Sequence, residues 1–430
     1  MSERKIVLIR PAKNVRGVVE LPGDKSISHR YAMLGALAEG TTKLENFSTG
    51  ADCASTLRCL RTLGVTWRQE GTTVLIEGRE QTLRASLTPL DCGNSGSTMR
   101  MLSGILAGQP FTSELEGDGS LTRRPMARII QPLERMGAQI QSSDGARPPL
   151  RIQGARLKAI DYQMPIASAQ VKTSLLFAGL SAEGVTRIEE PMQTRDHGEL
   201  ALRAFGAQLD RRMREVSIGG GQKLRAITAK IPGDISSAAF FLCAAALFPS
   251  SELTLSGLLL NPTRARLLDV LMGLGLRVDM GELEEQHGEL LGTLRVEGGA
   301  LRGARIVGAD TAALIDEIPV LAALAPYTSE GIEIRDAREL RVKESDRMRT
   351  VATNLSRMGA RVEEFEDGLR IPGGQKLRGA SLDSFGDHRI AMAFAVAALG
   401  AEGETEITGA EAAMISYPDF FSVLERLLER

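Results

Sequence analysis

The sequence predicts an α/β protein of two domains, each built from three copies of one β/α unit. Three observations lead to this prediction. The length of 430 residues exceeds one ordinary core and favours two or three domains. A pattern of strand, Gly-rich turn, apolar helix, strand and amphipathic helix recurs six times with a period of roughly 70 residues. Two near-identical turns, LPGD at residues 21–24 and IPGD at residues 231–234, lie three copies apart.

Two hydrophobic periods distinguish the strands from the helices in each copy. Short runs with alternating apolar residues predict strands, and a 3.6-residue period predicts helices. In MARIIQPLERM, for example, Ile129, Ile130, Leu133 and Met136 share one helical face. The preceding helix of each copy, such as AMLGALA or AMAFAVAALG, is apolar all round and is expected to be buried. The copies are therefore interpreted as βαβαββ-type units.

The two Pro-Gly turns are the expected points at which the chain changes domain, because Pro-Gly pairs mark turns. One domain is then residues 22–232, with copies one to three. The other combines residues 1–21 with residues 233–430, with copies four to six.

The composition excludes several classes of protein. Hydrophobic residues make up 43% and charged residues 25%, a globular balance, and the net charge of −2 argues against a nucleic-acid surface. No apolar run is long enough to span a bilayer, and the apolar stretch at residues 6–9 is too short for a signal peptide, so no membrane partner is expected. The four cysteines lack metal-site spacing and are interpreted as buried thiols of a cytoplasmic protein.

Polar and basic residues recur where each apolar helix begins. A helix N-terminus presents free N–H groups and a partial positive charge, so several such ends suit a ligand with more than one phosphate or carboxylate. Ser, Asn and Asp are also common helix caps, but capping does not explain basic residues there. The positions are Lys25, Ser26 and Arg30; Asn94, Ser95 and Gly96; Ser168 and Gln170; Ser236 and Ser237; Asp316 and Glu317; and Asp387, His388 and Arg389.

Two further basic clusters lie outside these helix starts. In RVKESDR, the spacing predicts that Lys343 and Arg347 share a helical face with Glu344 adjacent, a pattern also typical of a solvated surface. In SLTRRPMAR, Pro125 is expected to begin a helix, and Arg124 before it could hold a carboxylate or phosphate through two N–H groups.

Eight segments in order give the chain its family resemblance: PGDKSISHR, GNSGSTMR, RRPMAR, SAQVKTSLLFAGL, NPTR, IDEIPVLA, RVKESDR and GDHRIAMA. Spanning residues 22–393, they resemble the 5-enolpyruvylshikimate 3-phosphate synthases, the target of glyphosate. The resemblance implies a two-domain inside-out α/β barrel with an active site in the interdomain cleft. It also implies enolpyruvyl transfer from phosphoenolpyruvate to shikimate 3-phosphate by addition and elimination, in a monomer without metal or cofactor.

The resemblance also implies roles for individual residues. Lys25, Asp316 and Glu344 correspond to the catalytic groups, although Glu317 remains an alternative to Asp316, and which carboxylate handles which proton stays open. The groups corresponding to shikimate 3-phosphate contacts are Lys25, Ser26, Arg30, Ser168, Ala169, Gln170, Arg195, Asp316 and Lys343. Those corresponding to phosphoenolpyruvate contacts are Lys25, Asn94, Gly96, Arg124, Gln170, Arg347 and Arg389.

Departures from the family pattern place the chain in a divergent, class II-like branch. Some members have Ser-Ser-Gln where this chain has Ser168-Ala169-Gln170, and the segment MISYPDFF lacks a Lys found in others. One alternative is the sister enzyme that acts on UDP-N-acetylglucosamine. That enzyme has GAKN at the first helix and a loop Cys, whereas this chain has GDKS and GDGSLTRRP. The other alternative, a non-catalytic anion-binding repeat scaffold, does not explain basic residues at helix starts.

Overall fold

The computed structural model describes residues 4–430, which form two compact units. The inserted unit comprises residues 23–231 and 286–289. The terminal unit comprises residues 4–22, 232–285 and 290–430. The chain therefore passes between units beside the two Pro-Gly turns. Residues 286–289 belong to the inserted unit rather than to the sequence-based second domain, because Glu289 pairs with His197 there at 2.6 Å.

Two strands of the terminal unit precede the inserted unit: β1 (Ile6–Ile9) and β2 (Asn14–Val19). The inserted unit then repeats one order of elements. Its elements are α1 (Lys25–Leu37), β3 (Thr41–Glu45), α2 (Ala51–Thr62), β4 (Thr66–Glu70), β5 (Thr73–Glu77), β6 (Leu90–Asp91), α3 (Gly96–Ala107), β7 (Thr112–Glu116), α4 (Ala127–Met136), β8 (Gln139–Ser143), β9 (Arg147–Gln153), β10 (Asp161–Gln163), α5 (Ala169–Gly179), β11 (Val185–Glu189), α6 (His197–Ala204), β12 (Leu209–Arg212), β13 (Glu215–Gly219) and β14 (Thr228–Lys230).

These strands form three four-stranded sheets of the same topology, ordered β14-β3-β5-β4, β6-β7-β9-β8 and β10-β11-β13-β12. In each sheet the first pair is parallel and the later pairs are antiparallel. The predicted βαβαββ unit is confirmed by this arrangement. The segment GVVEL precedes the first apolar helix in sequence, so the repeat pattern predicts it as the leading strand of the first copy, and this prediction was wrong. It forms part of β2 in the terminal unit, and β14 pairs with β3 in its place.

The terminal unit continues the pattern after residue 232. Its elements are α7 (Ile235–Ala246), β15 (Glu252–Leu259), α8 (Arg266–Leu274), β16 (Arg277–Gln286), β17 (Glu289–Glu297), β18 (Ala304–Ile306), α9 (Ala309–Ala313), α10 (Ile318–Leu324), β19 (Ile332–Ile334), α11 (Arg347–Arg357), β20 (Glu363–Phe365), β21 (Gly368–Ile371), β22 (Ser381–Asp383), α12 (His388–Leu399), β23 (Thr405–Thr408), α13 (Phe420–Leu427) and β24 (Leu428–Glu429). Its sheets run β16-β17-β15-β2-β24, β18-β19-β21-β20 and β1-β23-β22.

The two classes of helix differ in burial as the hydrophobic pattern predicts. Every residue of α7 and α12 is buried, whereas α4 buries only the face that contains Ile129, Ile130, Leu133 and Met136. The four cysteines are buried free thiols. Within residues 4–430, no helix has the length and apolar character that a membrane crossing requires.

A close approach of two buried helices, α3 and α5, aligns their N-terminal ends. Gly104 of α3 lies so near α5 that a Cβ at this position would be 2.0 Å from the carbonyl oxygen of Ser174. Glycine is the one residue that permits this separation. The first turns of α3 and α5 are therefore held beside each other by a contact deep in the core.

We expect Gly104→Ala to destabilise the protein, because the added methyl group forces α3 and α5 apart. The loss is about 1–3 kcal/mol in the free energy of unfolding, measured by urea denaturation. Gly273→Ala is the matched control: Gly273 is also helical, and a Cβ there meets no atom within 4 Å. Stability that is equal in the two variants would contradict the packing argument.

Candidate active site

Side-chain caps begin the buried helices of the inserted unit. Asp24 caps α1, Ser95 caps α3 and Ser168 caps α5, each by accepting a hydrogen bond from a backbone N–H three residues on. A cap satisfies one of the four free N–H groups of a helix start. The remaining dipole of each helix start still favours an anion.

The first turns of α1 carry two cations in different settings. Lys25 is partly exposed, and its Nζ lies 3.0 Å from Asp52 Oδ2. Arg30 is buried, donates from Nη1 to the Ser26 carbonyl at 2.9 Å, and donates from Nη2 to Thr173 Oγ1 at 3.0 Å. The hydrogen bonds of Arg30 thus go to neutral oxygens, and none of them goes to a carboxylate.

Arg30 keeps its charge at neutral pH despite its burial. Burial lowers the pKa of Arg30 to about 10, while the carboxylates of Glu199 and Asp24 act in the opposite direction. Arg195 also lowers this pKa, so its guanidinium acts in the same field as that of Arg30. The family resemblance assigns both arginines to the same ligand, shikimate 3-phosphate.

A buried chain of hydroxyl groups connects the starts of α1, α2 and α3. His29 Nδ1 lies 2.7 Å from Thr56 Oγ1, which lies 2.7 Å from Thr98 Oγ1, and Thr98 donates to the capping Ser95 Oγ at 2.8 Å. Burial lowers the pKa of His29 well below its ordinary value, with Lys25 acting in the same direction. His29 is therefore a neutral structural residue that fixes the first turns of the three helices.

Two guanidinium groups converge on the start of α3. A Cβ on Gly96 would lie 2.9 Å from Nη1 of Arg100 and 3.3 Å from Nη1 of Arg124. Arg124 Nη2 donates to Asn94 Oδ1 at 2.8 Å and to Ser120 Oγ at 3.2 Å. The missing side chain of Gly96 therefore lets two guanidinium groups lie against the first turn of α3. Two cations beside a helix N-terminus are a suitable environment for an anionic group.

Gln170 connects the start of α5 to the start of α3. Its Oε1 accepts from Arg100 Nη1 at 2.7 Å, and its Nε2 donates to Ser97 Oγ at 2.9 Å. Ala169, the first residue of α5, is half-buried between Gln170 and the cap Ser168. The structure therefore brings together the residues predicted at these two helix starts.

In the terminal unit, the fully buried Arg347 is surrounded by carboxylates. Its Nε donates to Asp387 Oδ2 at 2.9 Å, its Nη2 donates to Glu344 Oε2 at 2.6 Å, and its Nη1 lies 3.5 Å from Asp316 Oδ1. Burial opposes the charged form of Arg347, but Asp387 and Glu344 outweigh it and raise its pKa above the ordinary value. Arg347 thus fixes the positions of three carboxylates.

Lys343 belongs to this cluster, but not by the geometry expected from the sequence. The predicted shared helical face was wrong, because α11 begins at Arg347 with Asp346 as its cap, and Lys343 precedes it in extended backbone. Lys343 Nζ nevertheless lies 3.8 Å from Asp316 Oδ1. Burial lowers the pKa of Lys343, and Asp316 partly offsets this effect.

Asp316 and Glu317 face different partners. Glu317 is buried, accepts from the hydroxyl of Ser236, and lies 3.8 Å from both Arg264 Nη2 and Arg389 Nη1. The backbone carbonyl of Asp316 accepts from Arg389 Nη1 at 2.6 Å, while its carboxylate faces Lys343 and Arg347.

Sequence reasoning missed Arg100 and the partner of Asp387. Arg100 lies four residues after Gly96, so helical spacing alone could have placed it over the start of α3. Asp387 was noted as a helix start, but its ion pair with Arg347 joins positions 40 residues apart. A further detail was also wrong: α4 begins at Ala127 rather than at Pro125, because Met126 precedes the helix with φ −116°.

No cluster of three or more His, Cys, Asp and Glu side chains within residues 4–430 is arranged to hold a metal ion. The clusters described above instead consist of cations, hydroxyl groups, amides and carboxylates. Such groups can bind anionic substrates and exchange protons with them.

Comparison with known proteins gives one consistent family. Residues 9–424 match the family model described as EPSP synthase (3-phosphoshikimate 1-carboxyvinyltransferase). A 3-phosphoshikimate 1-carboxyvinyltransferase of Koribacter versatilis strain Ellin345 is 60% identical, over 99% of this chain and 100% of the relative. One from Solibacter usitatus strain Ellin6076 is 55% identical, over 98% and 99%.

Solved structures agree with the sequence relatives. An EPSP synthase from Acinetobacter baumannii superimposes with a TM-score of 0.87 at 39% identity, covering 99% of this chain and 98% of that one. The enolpyruvyl transferase NikO from Streptomyces tendae has a TM-score of 0.79 at 18% identity, covering 99% and 97%, and so shares the fold.

We expect Asp387→Asn to destabilise the terminal unit by about 3–5 kcal/mol, because it removes the fully buried carboxylate charge that pairs with Arg347. The isosteric amide can still cap α12, so the loss reports the ion pair. Asp383→Asn is the control, since Asp383 pairs with the exposed Arg4 and such pairs contribute about 0–1 kcal/mol. Chemical denaturation measures both variants, and equal losses would show that Arg347 does not depend on Asp387.

Proposed function

Since the chain belongs to the EPSP synthase family, it transfers the enolpyruvyl group of phosphoenolpyruvate to the 5-hydroxyl of shikimate 3-phosphate, and we propose that the clusters described above perform this transfer. The observation that carries the proposal is the convergence of Arg100 and Arg124 on Gly96 at the start of α3. Two guanidinium groups beside a helix N-terminus suit a small dianion.

Shikimate 3-phosphate is proposed to bind at the starts of α1 and α5. Arg30 and Arg195 supply positive charge to its phosphate, and the Ser168 hydroxyl and the free N–H groups of the α5 start supply donors. The complete proposed set is Lys25, Ser26, Arg30, Ser168, Ala169, Gln170 and Arg195 in the inserted unit, and Asp316 and Lys343 in the terminal unit.

Phosphoenolpyruvate is proposed to bind to the remaining cations. Arg124 presents its planar guanidinium beside Gly96, a geometry that matches a phosphate or carboxylate. The complete proposed set is Lys25, Asn94, Gly96, Arg124 and Gln170 in the inserted unit, and Arg347 and Arg389 in the terminal unit.

The reaction moves protons at two places, the 5-hydroxyl and C3 of phosphoenolpyruvate, and we assign these transfers to Asp316 and Glu344. In the addition step, the 5-hydroxyl loses its proton, its oxygen bonds to C2 of phosphoenolpyruvate, and C3 gains a proton. In the elimination step, C3 loses a proton, the C2–O bond to phosphate breaks, and the double bond forms again. Arg347 contacts both carboxylates, so it orients them for acid–base catalysis, and Lys25 stabilises charge at the transferring group.

We also propose that the protein acts as a monomer in the cytoplasm. All groups assigned to the substrates come from one chain, so a second copy is not needed to supply any of them. The four buried free cysteines support a reducing compartment. Light scattering coupled to size-exclusion chromatography tests the oligomeric state.

The direct test of the reaction is phosphate release from phosphoenolpyruvate. We expect release only when shikimate 3-phosphate is also present, because the hydroxyl of that substrate attacks C2. Release that requires UDP-N-acetylglucosamine instead would assign the chain to the sister enzyme. The absence of release with either acceptor would support a non-catalytic binding scaffold.

Arg124→Ala is expected to lower kcat/KM by about 10²–10³-fold, since a preorganised cation at the developing charge is lost. Arg123→Ala, at the exposed neighbouring position, is the matched control and should retain wild-type kinetics. Thermal unfolding of both variants checks folding. An Arg124→Ala protein with normal kinetics would rule out the assigned role.

A further inference from the structure

The inserted unit contains a buried cluster of ionisable side chains, and none of its residues is among the proposed substrate contacts. Lys172 of α5 is fully buried, and its Nζ lies 2.9 Å from Glu190 Oε2 and 2.7 Å from Glu199 Oε1. Both carboxylates are also buried. We call Lys172, Glu190 and Glu199 the Lys172 cluster.

Stability alone does not account for the Lys172 cluster. Removing three charges from water is costly, and well-packed apolar side chains often replace buried ion pairs without loss of stability. With one cation and two carboxylates, the cluster carries a net charge of −1 when all three groups are ionised. A buried negative charge beside cations suggests a role in arranging those cations.

The position of the cluster connects α5 to the loop that carries Arg195. Lys172 lies on α5 one turn after its cap, Ser168. Glu190 precedes the loop of residues 191–196, and Glu199 lies in the first turn of α6 after it. Within the loop, the Thr194 hydroxyl donates to Glu190 Oε1. Lys172 therefore ties both ends of the loop to the first turns of α5.

The cluster also acts on Arg30. Glu199 is the carboxylate with the largest effect in holding Arg30 charged against its burial, and Arg195 acts in the opposite direction. Thr173, next to Lys172 in sequence, accepts hydrogen bonds from Arg30 Nε at 3.3 Å and from Nη2 at 3.0 Å. The negative cluster thus offsets the repulsion between two guanidinium groups that must stay close to bind one phosphate.

We propose that the Lys172 cluster is a positioning device that sets the affinity for the phosphate of shikimate 3-phosphate, an inference that rests on the proposed function. Lys172 orients the Arg195 loop against the start of α5, and its partner Glu199 supplies negative charge near Arg30. The phosphate then meets donors that are already in place, so less ordering is needed on binding.

The test is the steady-state kinetics of Lys172→Met. We expect KM for shikimate 3-phosphate to rise by about 10-fold or more, with kcat and KM for phosphoenolpyruvate changed less than about threefold. Lys158→Met makes the same substitution at an exposed position of the inserted unit and should match the wild type. A uniform loss in all three parameters, or thermal destabilisation with unchanged KM, overturns the proposal.

Thr194→Val provides a second test that leaves the buried charges in place, so it remains informative if Lys172→Met does not fold. It removes only the hydrogen bond to Glu190, and we expect KM for shikimate 3-phosphate to rise by about threefold or more. An unchanged KM in this variant contradicts the proposal.

Calorimetric titration with shikimate 3-phosphate separates the proposed function from the proposed positioning role. Wild-type protein that binds this ligand but releases no phosphate once phosphoenolpyruvate is added disproves the proposed function. Equal affinity in wild type and Thr194→Val disproves the positioning role.

Discussion

The electrostatic requirement of buried cations organises both units of this protein. Arg30, Lys172 and Arg347 are all buried, and a buried charge is tolerated only when other groups compensate for it. Arg347 is compensated by carboxylates at close range, as is Lys172. Arg30 differs, because its hydrogen bonds go to a hydroxyl and a carbonyl oxygen. This difference agrees with the proposal that Arg30 binds the phosphate of the substrate.

The repeated unit explains how Arg30 and Lys172 come to lie in the first turns of equivalent helices, whereas Arg347 begins the amphipathic helix α11. Each copy buries one small-residue helix, and the first turn of that helix carries the variable polar residues. The close contact at Gly104 shows how small residues bring neighbouring helix starts together. Through Arg100, Gln170 and Ser97, the side chains at two such starts then bond to each other. Six copies of one fold element thus supply different chemistry at the same structural position.

Several residues of the candidate site could be predicted from the sequence. The resemblance and the helix-start pattern identified Lys25, Arg30 and Gly96, and the structure places each at a helix start or in its first turns. The sequence could not distinguish Asp316 from Glu317, because adjacent residues share a motif. Their side chains take different partners in the fold, Arg347 for one and Ser236 for the other.

The sequence by itself determined the repeat, the burial of the apolar helices and the family, because hydrophobic periodicity and local motifs are properties of neighbouring residues. Only the tertiary structure decided which charges meet. Lys172 and Glu190 are 18 residues apart, and Arg347 and Asp387 are 40 residues apart, so no local pattern connects them. The pairing of β3 with β14 rather than with β2 also joins segments that no local pattern connects. Strand pairing joins segments that are distant in sequence, and the lowest free energy is reached only when the whole sheet has formed.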